Sequence, residues 1–368
     1  MQAPRIWRHF DVWLLAAVAL MTIAGVAMIQ SAVAGNEFLV EQNTVSRQVI
    51  FGVAGFAVLF ITTAIDYRLW SALSRPMYLF ILAFLALIPI AGIAGFGSAR
   101  WFQVGIITIQ PSELAKILIT LVLADYLSRN QYRIHEARTV VRSLALVAVP
   151  ALLVFIQPDL STAIVLGVIW LALVWAAGAH PKHLAMLAAA AMAAPILAFP
   201  FLQSYQIERV TTFLFPNPDA AYGATYNVNQ ALIAIGSGGL FGQGYSSGTQ
   251  VQLRFLKVRH TDFIFSAMSE EFGFVGALLL IALFVFIIYR CLRAARMARD
   301  PYGALICYGF SILMFFQGFF NIGMNLKLFP VSGLPLPFFS YGGSSLFTSL
   351  LAIGLIESVN LRHKQIEL

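Results

Sequence analysis

The chain has 368 residues, of which 60% are hydrophobic and only 11% are charged, and its mean hydropathy is +0.83. Soluble globular domains carry about 25% charged and 45–50% apolar residues, so a water-soluble fold of this length could not bury so much apolar surface. The formal net charge of +7 suggests nucleic-acid binding only until the charges are located in the sequence. Most of them fall in short segments between apolar runs, which argues against a nucleic-acid partner and for a membrane protein.

Apolar runs of about 20 residues can cross the hydrocarbon core as helices. We interpret the first run as a retained helix, because it is longer than the apolar region of a signal peptide. The fifth is short and is expected to tilt or break near Pro158. No strand pattern competes with the helices. The sequence thus predicts an all-α membrane domain over residues 1–368 with about ten spans: 11–33, 48–65, 77–96, 111–127, 143–157, 160–178, 183–202, 264–289, 303–324 and 341–360.

The distribution of Lys and Arg predicts the orientation of the spans. With the N-terminus inside, the inside segments carry 15 of these residues. The short outside segments carry only three, Arg47, Arg100 and Lys327. We therefore expect both termini in the cytoplasm.

One connection is long: residues 203–263 separate the seventh and eighth spans and are predicted to lie outside. The segment contains many aromatic and aliphatic residues, so it is too apolar for a disordered linker. We interpret it as a folded lid on the outer membrane face, with a short interfacial helix at 227–235. We expect the lid to move about hinges at Gly236, Gly238, Gly239, Gly242 and Gly244, since glycine adopts backbone angles that other residues avoid.

Polar side chains at membrane depth are costly, so each needs a partner or a function. The fourth span opens with Gln110-Pro111-Ser112-Glu113-Leu114-Ala115-Lys116, where Glu113 and Lys116 share one face of a helix. They can form a neutral structural pair or a charged wall of a wet cavity. Asp159, in Gln157-Pro158-Asp159-Leu160, can cap the sixth helix or pair with Lys116. We expect the three charges to form one buried network.

Two further segments carry polar groups to the outer boundary. Asp262, in His260-Thr261-Asp262-Phe263, lies where the long loop meets the eighth span and can be an ordinary helix cap or a reactive carboxylate. Glu270 and Glu271 lie two turns further in and need partners or water. The segment from Gly333 to Ser345 contains prolines and glycines that exclude a regular helix, and we predict that it lines a cavity rather than forming a simple outer loop. The cysteines and histidines show no metal spacing.

These segments, in this order, resemble the SEDS family of cell-wall polymerases over about residues 11–360. The resemblance rests on Arg100-Trp101-Phe102 with Gln110 to Lys116, Gln157 to Leu160, Gln230 to Gly244, His260 to Phe265 with Glu270-Glu271, and Gly333 to Ser345. Gly248-Thr249-Gln250 and Gln252 resemble the elongation branch of that family, the RodA type, rather than the division branch, FtsW. The chain departs from the common pattern at Lys257-Val258, where a proline and an acidic residue are usual, and at Lys327, where a glycine is usual.

The resemblance implies a peptidoglycan glycosyltransferase with a fold similar to other multi-helix lipid-sugar glycosyltransferases. It would polymerise lipid II through β-1,4 links on the outer face of the bacterial inner membrane, beside a class B penicillin-binding protein as transpeptidase. The family motif places the catalytic aspartate at Asp262, which would act as general base in an inverting transfer. Substrate contacts are expected from Arg47, Arg100, Glu113, Lys116, Asp159, Lys257, Arg259, His260 and Ser340.

No cofactor is assigned, and the need for a divalent cation such as Mg²⁺ stays open. Two other functions also stay open. A lipid II flippase or another transporter would equally place charges and broken helices within the membrane. A noncatalytic membrane scaffold would tolerate replacement of Asp262.

Overall fold

The computed structural model describes residues 7–34, 39, 41–91, 93–95, 98–104, 107–182, 185–187, 189, 204–215 and 223–363. This part of the chain is nearly all helical. Its helices are α1 (Val12–Val33), α2 (Thr44–Ala64), α3 (Arg68–Ala72), α4 (Ser74–Ala91), α5 (Pro111–Arg129), α6 (Ala137–Ile156), α7 (Leu160–Ala176), α8 (Ser204–Leu214), α9 (Gly223–Ser237), α10 (Thr249–Gln252), α11 (Ile264–Met297), α12 (Pro301–Asn325) and α13 (Gly343–Leu361).

Six of the described helices are long and apolar enough to cross a membrane, namely α1, α2, α6, α11, α12 and α13. Helices α4 and α7 contain shorter apolar stretches, and α5 carries several charges. Each of these helices coincides with a predicted span, which confirms the all-α membrane architecture. The seventh predicted span, 183–202, lies outside the described residues apart from 185–187 and 189. The total of ten spans stays a prediction.

A small sheet that the sequence analysis did not predict lies between α4 and α5. Strands β1 (Ile93–Gly95), β2 (Ser98–Val104) and β3 (Ile107–Ile109) form a small antiparallel sheet in the order β1-β2-β3. β3 is rich in β-branched residues, which favour strands. Only within the hydrocarbon core of the bilayer must backbone groups form their hydrogen bonds inside a helix or a closed barrel. A small sheet is therefore possible beyond the end of α4.

The fifth predicted span is longer than the sequence suggested. Helix α6 has 20 residues because it begins at Ala137, before the apolar run, and includes a polar first turn with Arg138 and Arg142. It continues through Pro150 and ends at Ile156. The predicted break before Pro158 is therefore confirmed, whereas the predicted short length is wrong.

Helix α5 lies at the centre of the bundle. It packs against α4, α6, α7, α12 and α13, which explains why most of its side chains are buried. Helices α2 and α13 form the most extensive helix pair. They approach closely at Gly354, where an added Cβ would lie 2.6 Å from the carbonyl oxygen of Leu59. The core is thus built around α5, which contacts five other helices of the bundle.

The two ends of the bundle carry different connections. At the terminal face, which comprises residues 7–11, 66–74, 290–302 and 357–363, the amide of Asp11 donates to Glu357 Oε2 at 3.1 Å. Both described chain ends therefore lie at the same face, as predicted. The opposite end, the loop face, comprises residues 43–48, 107–113, 157–161, 204–215, 223–263 and 325–343.

The long loop is joined to α11 through the backbone. Gly273, with φ 66° and ψ −163°, interrupts α11. Four backbone hydrogen bonds connect the loop to α11 on both sides of this break. Before the break, the amides of Gln243 and Gly244 donate to the carbonyls of residues 270 and 271 at 2.9 and 3.0 Å. After it, the amides of residues 274 and 275 donate to the carbonyls of residues 239 and 240 at 2.9 and 3.1 Å. An added Cβ on Gly242 would lie 2.1 Å from the carbonyl oxygen of residue 271.

Gly238 makes a similar approach, 2.1 Å from the carbonyl oxygen of Ser269. Gly238 and Gly242 therefore make close backbone contacts with α11, and the expectation that the loop glycines act as hinges stays a prediction. The predicted helix at 227–235 is confirmed within the longer α9.

Candidate active site

The first turn of α5 carries a buried ion pair. Lys116 Nζ lies 2.7 Å from Glu113 Oε1, and the two side chains are 2% and 6% exposed. Pro111 occupies the first helical position, where its missing amide hydrogen is not needed. Glu113 Oε2 also accepts a weak bond from Thr348 Oγ1 of α13 at 3.5 Å. The predicted Glu113–Lys116 pair is confirmed.

Asp159 belongs to a neighbouring but separate cluster. It caps α7 by accepting the amide of Thr162 at 3.2 Å, and its other oxygen accepts from Thr162 Oγ1 at 2.9 Å and from Ser112 Oγ at 3.3 Å. The expected pairing of Asp159 with Lys116 is not among the ion pairs of the described residues. The first amides of α7 and the hydroxyl of Ser112 already satisfy this carboxylate, while Lys116 is held by Glu113.

The turn at Asp262 is held by two asparagines of α12. Its carbonyl oxygen accepts from Asn321 Nδ2 at 3.2 Å and from Asn325 Nδ2 at 3.0 Å. Asn325 Oδ1 in turn accepts from the amide of Ser266 at 3.2 Å and from its hydroxyl at 2.5 Å. Residue Phe263 is the N-cap of α11 and no side chain caps this helix. The alternative that Asp262 is an ordinary helix cap is therefore not borne out.

The carboxyl group of Asp262 lies in a desolvated environment at the loop face. No described side chain donates a hydrogen bond to it, although the residue keeps partial solvent exposure. Burial raises the pKa of Asp262 to about 6, and the positive charge of Arg209 opposes that rise. A carboxylate that titrates near neutral pH is suited to accept a proton from a substrate hydroxyl.

A small cavity of about 90 Å³ lies between the start of α7, helices α8 and α12 and the segment 330–334, and Asp262 is not among its lining residues. Asp159 and Arg209 contribute polar groups to its wall, and Phe316 and Phe320 of α12 contribute apolar surface. Arg209 Nη1 donates to the carbonyl of Ser332 at 3.4 Å, so α8 is joined to the segment that follows α12. The cavity therefore offers both an apolar wall and a cation.

The Pro/Gly-rich segment packs directly against the Asp262 turn. Ser340 Oγ donates to the carbonyl of Thr261 at 2.9 Å, and the amide of Tyr341 donates to the carbonyl of His260 at 2.9 Å. Gln48 of α2 donates to the carbonyl of Ser340 at 3.2 Å and accepts from the amide of Gly342 at 3.2 Å. The predicted irregular backbone is confirmed, and neighbouring side chains satisfy its polar groups.

The basic candidates have different surroundings. The Arg47 guanidinium lies within electrostatic range of Tyr341, beside the His260 turn. Lys257 is exposed, and its Nζ lies 5.7 Å from the ring centre of Tyr226. Arg100 belongs to β2, but its side chain lies outside the described part of the chain. Arg47 and Lys257 are therefore placed where an anionic ligand at the loop face can approach.

Arg259 and His260 are less suited to bind an anion by charge. Arg259 is 5% exposed and its Nε donates to the carbonyl of Ala32 at 2.6 Å, so it holds the loop against the end of α1. Burial, together with the neighbouring Arg259, lowers the pKa of His260 to about 4, so its imidazole is neutral at neutral pH. The sequence, which shows charge but not direction or burial, could not distinguish these residues from exposed cations.

The two acids inside α11 have structural partners. Glu270 accepts the amides of Gln250 and Val251 at 2.8 and 3.2 Å, so it serves the start of α10. Glu271 accepts a short hydrogen bond from Ser31 Oγ of α1. Both acids therefore tie the long loop or α1 to α11.

Three residues at the site were not singled out from the sequence: Arg209, Asn321 and Asn325. The asparagines lie four residues apart at the outer end of a predicted span, which places them on one helix face, and that polar pair was the available signal. Arg209 offered no such pattern, because its approach to Asp262 depends on how the long loop folds.

The described residues do not assemble an obvious metal site. No three His, Cys, Asp or Glu side chains among them cluster as potential ligands.

Comparison with known proteins places the chain in a family. The profile of the FtsW/RodA/SpoVE family, described as "Cell cycle protein", matches residues 11–365. The chain belongs to this family. Its members are the SEDS peptidoglycan glycosyltransferases, and the sequence resemblance is thereby confirmed.

Two curated SEDS relatives illustrate the breadth of the match. The chain is 34% identical over 371 residues to the probable peptidoglycan glycosyltransferase FtsW of Geobacter sulfurreducens, covering 99% of this chain and 98% of that protein. It is 37% identical over 314 residues to the peptidoglycan glycosyltransferase MrdB of Escherichia coli K12, covering 85% and 84%. These levels of identity are similar, so they do not separate the branches of the family.

Solved structures of SEDS proteins share the fold. A chain of a peptidoglycan synthase complex that coordinates polymerization and crosslinking is 29% identical with a TM-score of 0.83, covering 98% of this chain and 100% of that one. The Thermus thermophilus rod shape determining protein RodA is 30% identical with a TM-score of 0.71, covering 98% and 99%. The helical membrane architecture is therefore that of the SEDS family.

Proposed function

We propose that this SEDS protein polymerises lipid II into glycan strands with Asp262 as the general base. The observation that carries the proposal is the Asp262 carboxyl group, which has a raised pKa and no hydrogen-bond donor among the described residues. Its backbone is held by Asn321 and Asn325, so the group is positioned while its side chain is left for chemistry. Such a group is suited to remove a proton from a sugar hydroxyl.

The reaction follows from this assignment. The Asp262 carboxylate takes the proton of the acceptor 4-hydroxyl while that oxygen attacks C1 of the donor sugar. The bond from C1 to the pyrophosphate oxygen breaks, and undecaprenyl pyrophosphate leaves with the electron pair. Attack opposite the leaving group inverts the anomeric carbon and gives a β-1,4 link. The proton then passes from Asp262 to solvent, and no covalent glycosyl-enzyme is required.

The departing pyrophosphate needs positive charge rather than a proton donor. Arg209 is within electrostatic range of Asp262, and Arg47 and Lys257 also lie at the loop face, so we assign this role to them. Arg100 stays a candidate for the same role. The apolar wall formed by Phe316 and Phe320 would accept the start of the polyprenyl chain.

We further propose that the protein acts in elongation, as a RodA-type enzyme, with a class B penicillin-binding protein as partner. Gly248 to Gln252 favour that branch, and the likeness to a chain from a complex that coordinates polymerization and crosslinking supports such a partner. The excess of basic residues at the terminal face supports an inner-membrane orientation with both termini in the cytoplasm.

The test uses purified protein, labelled lipid II and detergent, with and without EDTA. An enzyme yields polymer without a second leaflet or a partner's glycosyltransferase. A flippase yields none in detergent, and a scaffold yields none without its partner. Polymer from wild type that is lost in Asp262→Asn supports the proposal, whereas equal polymer from both would contradict it. Loss of polymer with EDTA would add a metal requirement.

A further inference from the structure

A second cavity lies at the terminal face, at the opposite end of the bundle from Asp262. It encloses about 420 Å³ between the start of α1 and the ends of α11 and α13. Arg8, Arg290 and Arg293 contribute its cationic groups. We refer to it as the terminal cavity, and none of its lining residues takes part in the proposed glycosyl transfer.

One of the three arginines is already neutralised. Arg290 donates from Nε to Asp11 Oδ2 at 2.7 Å, and its Nη2 lies 2.5 Å from Asp11 Oδ1, so this pair is bidentate. Asp11 also caps α1 by accepting the amide of Leu14 at 3.0 Å. This ion pair forms a rigid wall of the cavity and fixes α1 against α11.

Arg8 and Arg293 keep their charge for a ligand. Both are exposed, and neither forms an ion pair with any carboxylate in the described part of the chain. The histidines His9 and His363, whose ring centres lie 4.8 Å apart, complete the polar wall. The lining thus carries three arginines against one aspartate, so it is cationic even with both histidines neutral. Like charges that share a cavity repel unless an anion lies between them.

The rim of the cavity is apolar. Val12 and Trp13, which also line it, are 64% and 70% exposed, and Trp7 nearby is 43% exposed. Tryptophan at the end of a spanning helix is typical of the membrane–water interface. A phosphate group that binds among the arginines would therefore have its acyl chains beside this apolar rim.

We propose that the terminal cavity binds the phosphate group of an anionic phospholipid. The arginine forks match phosphate oxygens, and basic pockets between transmembrane helices are known to bind acidic headgroups. The bound lipid would join α1, α11 and α13 at the face opposite the glycosyl-transfer site. This inference depends neither on the activity proposed above nor on the direction in which the chain crosses the membrane.

The test compares Arg8→Gln/Arg293→Gln with Arg296→Gln/Arg299→Gln. The control pair is also exposed, removes the same charge and does not line the cavity. The full chain in detergent is titrated with phosphatidylglycerol or with phosphatidylcholine of the same acyl chains, and native mass spectrometry measures the bound lipid. Melting temperatures establish that the variants are folded.

Each basic residue near a membrane surface contributes about fivefold to acidic-lipid affinity, so the cavity variant should bind phosphatidylglycerol about 25-fold more weakly. The control pair should bind as wild type does, and an Arg8→Lys/Arg293→Lys variant should recover most of the affinity. Equal loss in cavity and control variants, or no preference over phosphatidylcholine, would overturn the proposal. Glycerol 3-phosphate that bound as tightly as the lipid would instead identify a site for free phosphate and would also overturn the assignment to a lipid.

Discussion

Glu113 and Asp262 are two carboxylates at the loop face with opposite surroundings. Glu113 lies in the first turn of α5 and is paired at 2.7 Å with Lys116 in a buried position. Asp262 lies just before α11, and no described side chain donates to its carboxyl group. A buried acid whose charge is matched by a lysine mainly stabilises the fold. A desolvated acid without a donor has a higher affinity for a proton and can exchange it with a substrate.

We therefore expect the α5 turn to contribute mainly to stability and the Asp262 turn to contribute to the chemistry. The two turns are nevertheless physically linked. The segment containing Ser340 donates to the carbonyl of Thr261, and its next residues reach the start of α5 through a bond from the amide of Gln110 to Ser344 Oγ at 3.1 Å. A change at one turn can therefore disturb the other, so stability and rate have to be measured separately in each variant.

The largest expected effect is on rate, in Asp262→Asn. Loss of a general base costs about 10²–10⁴-fold, measured as the initial rate of polymer formation from labelled lipid II. A raised carboxyl pKa means that ionisation disfavours the folded state as the pH rises, so the melting temperature at pH 7.5 should be unchanged or slightly higher. Asp262→Glu, which keeps a carboxylate on a longer side chain, should retain partial activity. A near-normal rate of polymer formation by folded Asp262→Asn would mean that Asp262, like Glu113, is not the catalytic base.

The next effect is on stability, in Lys116→Ala. Removing one partner of a buried ion pair costs about 3–5 kcal/mol, because the remaining charge is left unpaired. Thermal unfolding in detergent should show the loss, and activity should fall with it. The matched control is Lys116→Met combined with Glu113→Gln, which removes both charges and should recover much of the stability. A Lys116→Ala variant with full stability and full activity would contradict the assignment.

A smaller effect is expected from Asn325→Ala. This change removes a donor to the Asp262 carbonyl and the acceptor of Ser266, and an unsatisfied buried group costs about 1–3 kcal/mol. Because the Asp262 turn loosens, the kcat of polymerisation should also fall. Asn130→Ala, which removes an asparagine bond to the carbonyl of Tyr126 at the other face, provides the control. An equal fall in kcat in both variants would show that the asparagines do not position Asp262.

The smallest effect concerns Lys327, where the family usually has glycine. Lys327 adopts φ 59°, a left-handed conformation that costs a non-glycine residue about 1–2 kcal/mol. Lys327→Gly should therefore raise the melting temperature, although it removes the 3.3 Å bond from Lys327 Nζ to Asn229. A lower melting temperature would mean that the contact between the α12 end and α9 outweighs the backbone strain.

The helices were predictable because hydrocarbon thickness sets both their length and their apolar composition. The Glu113–Lys116 pair was predictable because residues three apart share a helix face. The arrangement of the long loop could not be predicted in this way. It depends on backbone hydrogen bonds between residues 239–244 and the residues around Gly273, which are distant in sequence. The position of Arg259 could not be predicted for the same reason. In the sequence it is one of several basic residues of the loop, but in the structure its side chain donates to the backbone at the end of α1.

The most direct test of the central claim is the pH dependence of the initial polymerisation rate. A base must be deprotonated to act, and the pKa of Asp262 is raised to about 6. The wild-type rate should therefore be constant above that pH and should fall about tenfold per pH unit well below it, while the residual rate of folded Asp262→Asn should lack this step. A wild-type rate without the step, or the same step in Asp262→Asn, would contradict the assignment of Asp262 as the base.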